Sequence, residues 1–86
     1  MPNVSVKNKV VLVSGSNRGI GKSFAIQALA QGAKKVYATA RDVSTLTKIT
    51  ELQDERVVAL TLDISDQEQV NAVAAAAPDV EILINN

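Results

Sequence analysis

The chain has 86 residues, 47% of them hydrophobic and 21% charged, with nine basic and nine acidic side chains that cancel. This is a globular composition, and its neutral balance gives no long-range pull toward nucleic acid or an anionic membrane. Cysteine and histidine are both absent, which excludes disulfides, thiolate nucleophiles, thiolate or imidazole metal sites and the commonest general base.

A chain of this size buries only roughly 60–65% of the surface its unfolded form exposes, so one domain of modest stability is expected. No apolar run reaches the ~18 residues of a membrane span, and 1–9 lack the apolar middle of a signal peptide. A cytoplasmic protein, with no nucleic-acid or membrane partner, is the expectation. In chain order, Lys9–Ser14 is an apolar, β-branched run that reads as a buried parallel strand. A glycine-punctuated turn follows, Gly15 to Gly21. From Gly19 to Gln31 the pattern is helical, with Ile20, Phe24 and Ala28 on one stripe beside Ala25 and Leu29. Gly32 stands where a helix C-terminal glycine belongs.

Lys35–Ala40 reads as the second strand, and Arg41 and Asp42 follow it. A weaker helix carries Leu46, Ile49 and Leu52, and Arg56–Leu62 is a third strand ended by Asp63. Ser65 to Glu68 matches the S-x-x-E capping box and opens a helix with Val70, Val73, Ala74 and Ala77 on its stripe. Pro78 and Asp79 break that helix, Val80–Ile84 is the fourth strand, and Asn85-Asn86 close the sequence. Strands alternating with helices at this spacing predict a three-layer α/β/α half Rossmann fold over 1–86: four parallel strands and three helices. Right-handed crossovers give the strand order 3-2-1-4. The Val80–Ile84 strand ends without a crossover and leaves an edge bare, so a homodimer formed edge to edge along it is expected.

Gly15-Ser16-Asn17-Arg18-Gly19-Ile20-Gly21 lies between a strand and a helix. Glycines there permit positive φ and close approach of a ligand. The following helix offers unpaired N–H groups and a positive dipole end. The stretch therefore reads as a phosphate cradle, against the plainer reading of a tight turn without ligand. A competing nucleotide site is also visible: Ser16 to Ser23 (SNRGIGKS) misses the P-loop pattern only at its first glycine. In a dinucleotide fold, the end of the second strand meets the adenine ribose, and arginine there favours the 2′-phosphate of NADP over NAD. Arg41 occupies that place and Arg18 lies in the loop, so NADP is the expected cofactor; the plain alternative pairs Arg41 with Asp42.

Ser14-Gly15 through Gly21, Leu62-Asp63-Ile64 and Asn85-Asn86 together resemble the short-chain dehydrogenase/reductase family, whose T-G-x-x-x-G-[IL]-G and N-N-A-G motifs they follow. The resemblance covers nearly the whole chain, stops within N-N-A-G, and implies an NADP-preferring N-terminal half. It implies that Gly15, Ser16, Asn17, Arg18, Gly19, Ile20 and Gly21 wrap the pyrophosphate and adenosine ribose. Arg18 and Arg41 match the basic pair of NADP-preferring members. Asp63 takes the adenine amino group with Ile64 beside the ring, and Asn86 lies along the cofactor. Asp63 alternatively caps the helix that Ser65 begins, and Asn85-Asn86 is alternatively a frayed terminus. The family's catalytic serine and Y-x-x-x-K pair come after N-N-A-G, so no catalytic residue is assigned. Tyr37 with Arg41 four residues later lies on a strand, where the two do not stack as on a helix. The resemblance thus implies a parent oxidoreductase of carbonyls or alcohols and an inactive 86-residue chain that binds NADP(H) or its adenosine-phosphate half. The alternatives left open are a P-loop-like fragment and an excised or engineered half-domain without ligand.

Overall fold

The computed structural model describes residues 5–17, 19–61, 71 and 74–84. Its elements are β1 (Val10–Val13), α1 (Gly19–Ala30), β2 (Lys35–Ala40), β3 (Val57–Thr61) and β4 (Ile82–Ile84). All pairings are parallel, in the order β3-β2-β1-β4. This is the expected half Rossmann arrangement. Parallel pairing sets every strand's C-terminal end on one side of the sheet, which is where ligands bind in open α/β sheets.

Strand residues alternate between two faces, so β1 feeds two cores. Val11 and Val13 join Val36, Ala38, Ala40 and Ile84 beneath α1, together with Leu46, Ile49 and Leu52. Val10 and Leu12 point the other way, to Tyr37 and Ala77. All four β1 residues are buried, because strands lie on both sides and layers lie above and below.

Helix α1 buries Gly21, Ala25, Ala28 and Leu29, while Ile20 is 63% exposed. The inner stripe is thus rotated by one residue from the expected Ile20–Phe24–Ala28 line. Small residues at Gly21, Ala25 and Ala28 bring the helix close to the sheet, and the larger Phe24 is left half-buried at the side. The helix ends as expected at Gly32, whose φ is 86°. The Gly32 amide donates to Leu29 O (3.1 Å) and the Ala33 amide to Ala28 O (3.0 Å), a complete Schellman arrangement. Arg56 adds to it from the start of β3, since Nη1 donates to Leu29 O at 3.2 Å. Asp54 holds the other side of that guanidinium through Nη2–Oδ2 at 2.9 Å.

The segment expected as a second helix forms two 3-10 turns instead, Val43–Thr45 and Thr50–Leu52. Its hydroxyls explain the difference. Thr45 Oγ1 donates to Asp42 O (2.7 Å) and Thr47 Oγ1 to Ser44 O (2.8 Å), while Asp42 Oδ1 accepts from the Ser44 amide (3.0 Å). Such local bonds offer the backbone an alternative to helix, and β-branched neighbours lower the helix preference further. Leu46, Ile49 and Leu52 are nevertheless buried as their spacing predicted. Of the capping-box helix, residue 71 and 74–76 are described and helical; Ala77 just after them is buried and Ala74 is exposed. The box itself, 65–68, lies outside the described residues.

At the entry side of the sheet, Lys35, Tyr37 and Asp79 form a closed cluster that sequence reasoning missed. Tyr37 OH donates to Asp79 Oδ1 (2.7 Å), and Lys35 Nζ reaches Asp79 Oδ2 (2.7 Å) and Tyr37 OH (3.2 Å). It ties β2 to the loop entering β4, 42–44 residues away along the chain. The Lys35 hydrogen bond, with that of Tyr37, pulls the Asp79 carboxyl down to about 2. The bond from Arg56 does the same to Asp54, also to about 2. Carboxyl pKa values depressed on folding give stability that is present above the unfolded value and lost as pH falls through the folded one. Thermal stability should therefore decline from about pH 4 toward pH 2. Asp79→Asn should flatten part of that decline, as read by melting curves across the range; an unchanged pH profile would count against the cluster.

Candidate functional site

The site forms at the C-terminal ends of the strands. β1 runs into Ser14, whose amide donates to Ile84 O (3.0 Å), so the turn begins anchored to β4. Gly15 and Gly19 then take φ of 60° and 61°. Side chains other than glycine adopt this region at a cost. A β-carbon built on Gly19 meets no atom of the other described residues within 4 Å, its chain neighbours and the helix's own backbone aside, so the position has open space beside it. The backbone conformation, not packing, is what calls for glycine there. Gly21, by contrast, is buried against the sheet as the first small residue of the α1 stripe.

The N-terminus of α1 follows directly, and its first turn carries no acidic residue. The first-turn amides and the positive dipole end of α1 therefore lie at this end of the sheet, and no carboxylate of that turn competes with a ligand there. Arg41, exposed, comes immediately after Ala40 at the end of β2. The neighbouring Asp42 carboxylate is held by Ser44, whose amide and hydroxyl donate to it and lower its pKa.

Of the residues singled out from the sequence, Gly15, Asn17, Gly19, Ile20 and Gly21 are gathered in and after the turn, with Asn17 half-buried and Ile20 exposed at its rim. The Ser16 side chain is turned inward. It is fully buried, and its hydroxyl donates to Val13 O at 2.7 Å. Arg18, Asp63, Ile64 and Asn86 lie outside the described residues. The rival P-loop reading needs Lys22 and Ser23 to face a phosphate; Ser23 Oγ instead accepts from Gln27 Nε2, one turn along α1 (3.1 Å). The single tyrosine, Tyr37, is engaged with Asp79 on the opposite side of the sheet from the turn. A cleft of about 320 Å³ between the 3-10 turns and β3, lined by Leu46, Leu52 and Val57 among others, is away from the glycine turn.

A parallel sheet in this order, with a glycine turn at a helix N-terminus beyond its first strand, is the architecture of the dinucleotide-binding class of α/β folds. The chain belongs to the short-chain dehydrogenase family, whose model matches residues 9–86. It is 35% identical over 85 residues to galactitol 2-dehydrogenase of Agrobacterium fabrum, with 94% of this chain and 33% of that protein covered. It is 33% identical over 86 residues to an NADP-dependent 3-hydroxy acid dehydrogenase of Schizosaccharomyces pombe, covering 91% of this chain and 33% of that one. A short-chain dehydrogenase from Burkholderia cenocepacia, solved in complex with NADP, superposes with a TM-score of 0.84 at 36% identity, covering 96% of this chain and 33% of that structure. The chain therefore spans about one third of the length of these relatives. No helix among the described residues is long and apolar enough to cross a membrane.

Proposed function

We propose that this chain binds NADP(H) through the adenosine 2′-phosphate half, as the nucleotide-binding part of an NADPH-dependent reductase or dehydrogenase of carbonyls and alcohols. The observation that carries the reading is the glycine turn, with positive φ at Gly15 and Gly19, set against a helix start free of carboxylates and one strand away from Arg41. The NADP bound to the Burkholderia relative and the NADP dependence of the yeast relative support it. In this reading the turn amides and Asn17 hold the pyrophosphate and ribose, and Ile20 lines the approach. Arg18 and Arg41 pair with the 2′-phosphate, and Asp63, Ile64 and Asn86 flank adenine and ribose. The bound nicotinamide supplies the hydride. These residues contain no Y-x-x-x-K pair, since Tyr37 is followed four positions on by Arg41, so no proton-moving role is assigned among them.

Calorimetric titration tests the proposal. 2′-phospho-AMP should bind about tenfold or more tightly than 5′-AMP, because each charge-assisted bond to the extra phosphate contributes about 1.5–3 kcal/mol. ATP-Mg²⁺ should show no advantage, and NADPH with generic carbonyls should show no turnover. Arg41→Glu should erase the preference for the 2′-phosphate, and an undiminished preference in that variant would overturn the assignment.

We also propose that two copies pair along β4. Among the described residues β4 bonds only to β1, and Leu83 on it is 62% exposed. An open strand edge with an apolar side chain is a template for a second strand. Sedimentation should give a dimer that Leu83→Lys dissociates; a clean monomer at high concentration would sink this idea.

A further inference from the structure

Ser16 lies in the turn, yet its side chain points into the protein. Ser16 and Thr39 are both fully buried, joined directly by two hydrogen bonds and indirectly by two more that meet on the last residue of β1. The Ser16 amide donates to Thr39 O (2.7 Å), and the Thr39 amide donates back to Ser16 Oγ (3.2 Å). Both hydroxyls donate to the same carbonyl, Val13 O, at 2.7 Å from Ser16 and 3.0 Å from Thr39. Among the described residues no buried side-chain nitrogen or oxygen lacks a partner, so the bracket is a satisfied network rather than a strained one. Such networks fix a single geometry.

Its position gives it a consequence for binding. Ser16 follows Gly15 directly, and Thr39 stands two residues before Arg41. Glycines at positive φ leave the turn free to adopt many shapes; the bracket ties it to β2, the strand that carries Arg41. We propose that Ser16 and Thr39 are a positioning pair that sets the distance between the glycine turn and the end of β2. In this way they hold apart, at one spacing, the sites for the 5′- and 2′-phosphates of an adenosine nucleotide. The proposal rests on the nucleotide reading above. Two phosphates on one ribose bind as a bivalent ligand, and the gain from the second contact depends on the spacing of the two sites. A pre-set spacing keeps that gain by avoiding the ordering cost at binding. Loosening the bracket should therefore weaken the doubly phosphorylated ligand more than the singly phosphorylated one.

The test compares the parent chain with Thr39→Val, Thr39→Ser and Ser16→Ala. Thr39→Val keeps the shape and removes the hydroxyl, leaving Val13 O with its bond from Ser16, so the fold should persist. Calorimetry gives the affinities for 2′-phospho-AMP and 5′-AMP, and amide exchange reports on 15–21 in the unliganded protein. The parent should favour 2′-phospho-AMP about tenfold or more. Ser16→Ala, which removes the acceptor of the Thr39 amide and the bond to Val13 O, should compress that ratio about threefold or more, with faster exchange in the turn; Thr39→Val, which keeps both Ser16–Thr39 bonds, should compress it less, and Thr39→Ser should leave it at the parent value. A merely destabilising effect would weaken both ligands alike and leave the ratio unchanged. That result in a parent that discriminates overturns the positioning role alone. A parent without any preference for 2′-phospho-AMP overturns the nucleotide reading and the positioning role together.

Discussion

Leu12→Ala should lower the thermal midpoint of this chain by about 10–25 °C, as read by circular dichroism. Leu12 is fully buried at the centre of β1, with Tyr37 on one side and Leu83 on the other in register. Deleting a buried leucine side chain costs about 2–5 kcal/mol, more where the surroundings cannot close on the cavity. Here β1 is hydrogen-bonded on both sides, so its backbone cannot move inward to fill the space. A domain of this length has a total stability of about 4–13 kcal/mol, and each kcal/mol shifts its midpoint by about 4–8 °C. Leu12→Met keeps the volume and should cost less than about 1.5 kcal/mol. A Leu12→Ala midpoint within 4 °C of the parent, allowing about one kcal/mol, would mean that the second face of the sheet is not a packed core.

Gly19→Ala should remove detectable binding of 2′-phospho-AMP while lowering the midpoint only modestly. With φ at 61°, an L-residue here carries strain of about 1–2 kcal/mol. Beyond its chain neighbours and the helix's own backbone, the new methyl meets no described atom within 4 Å, so tertiary packing adds nothing to that cost. What the methyl does occupy is the space beside the turn in which the proposed phosphate would lie. Gly32→Ala is the matched control. Its φ is 86° and, among the described residues beyond its chain neighbours, its β-carbon would touch only Lys7 Cγ, at 3.6 Å. It bears comparable backbone strain at the far end of α1, so stability should fall by a similar amount with binding unchanged. Equal losses of binding in the two variants would show that the turn matters only through stability, and the phosphate assignment would fail.

The features that could be read from the residues are those with local causes. Lys35–Ala40 forms β2 over the expected bounds, and Gly32 closes α1 because only a residue tolerant of positive φ completes the Schellman bonds. The strand order follows from the handedness of crossovers. The two 3-10 turns were legible in principle from Ser44, Thr45 and Thr47, whose hydroxyls compete for backbone groups one turn away. Their apolar spacing masked that signal, and the three buried residues were identified correctly while the backbone between them was not. Ile20 misled for a related reason: periodicity marks a stripe but does not say which of two adjacent lines lies inward, and the close approach of Gly21 decides it.

Sequence alone thus determined the alternation of elements, the glycine turn beyond the first strand and the arginine beyond the second, because each depends on residues within a short stretch, and the parallel sheet, because right-handed crossovers between alternating strands and helices leave few topologies. Only the tertiary structure decided that Ser16 faces inward onto Thr39 and that Lys35, Tyr37 and Asp79 meet. Ser16 and Thr39 are 23 positions apart, and Tyr37 and Asp79 are 42 apart. Contacts at that separation exist only once parallel strands have set their register, and no local pattern of residues carries that information.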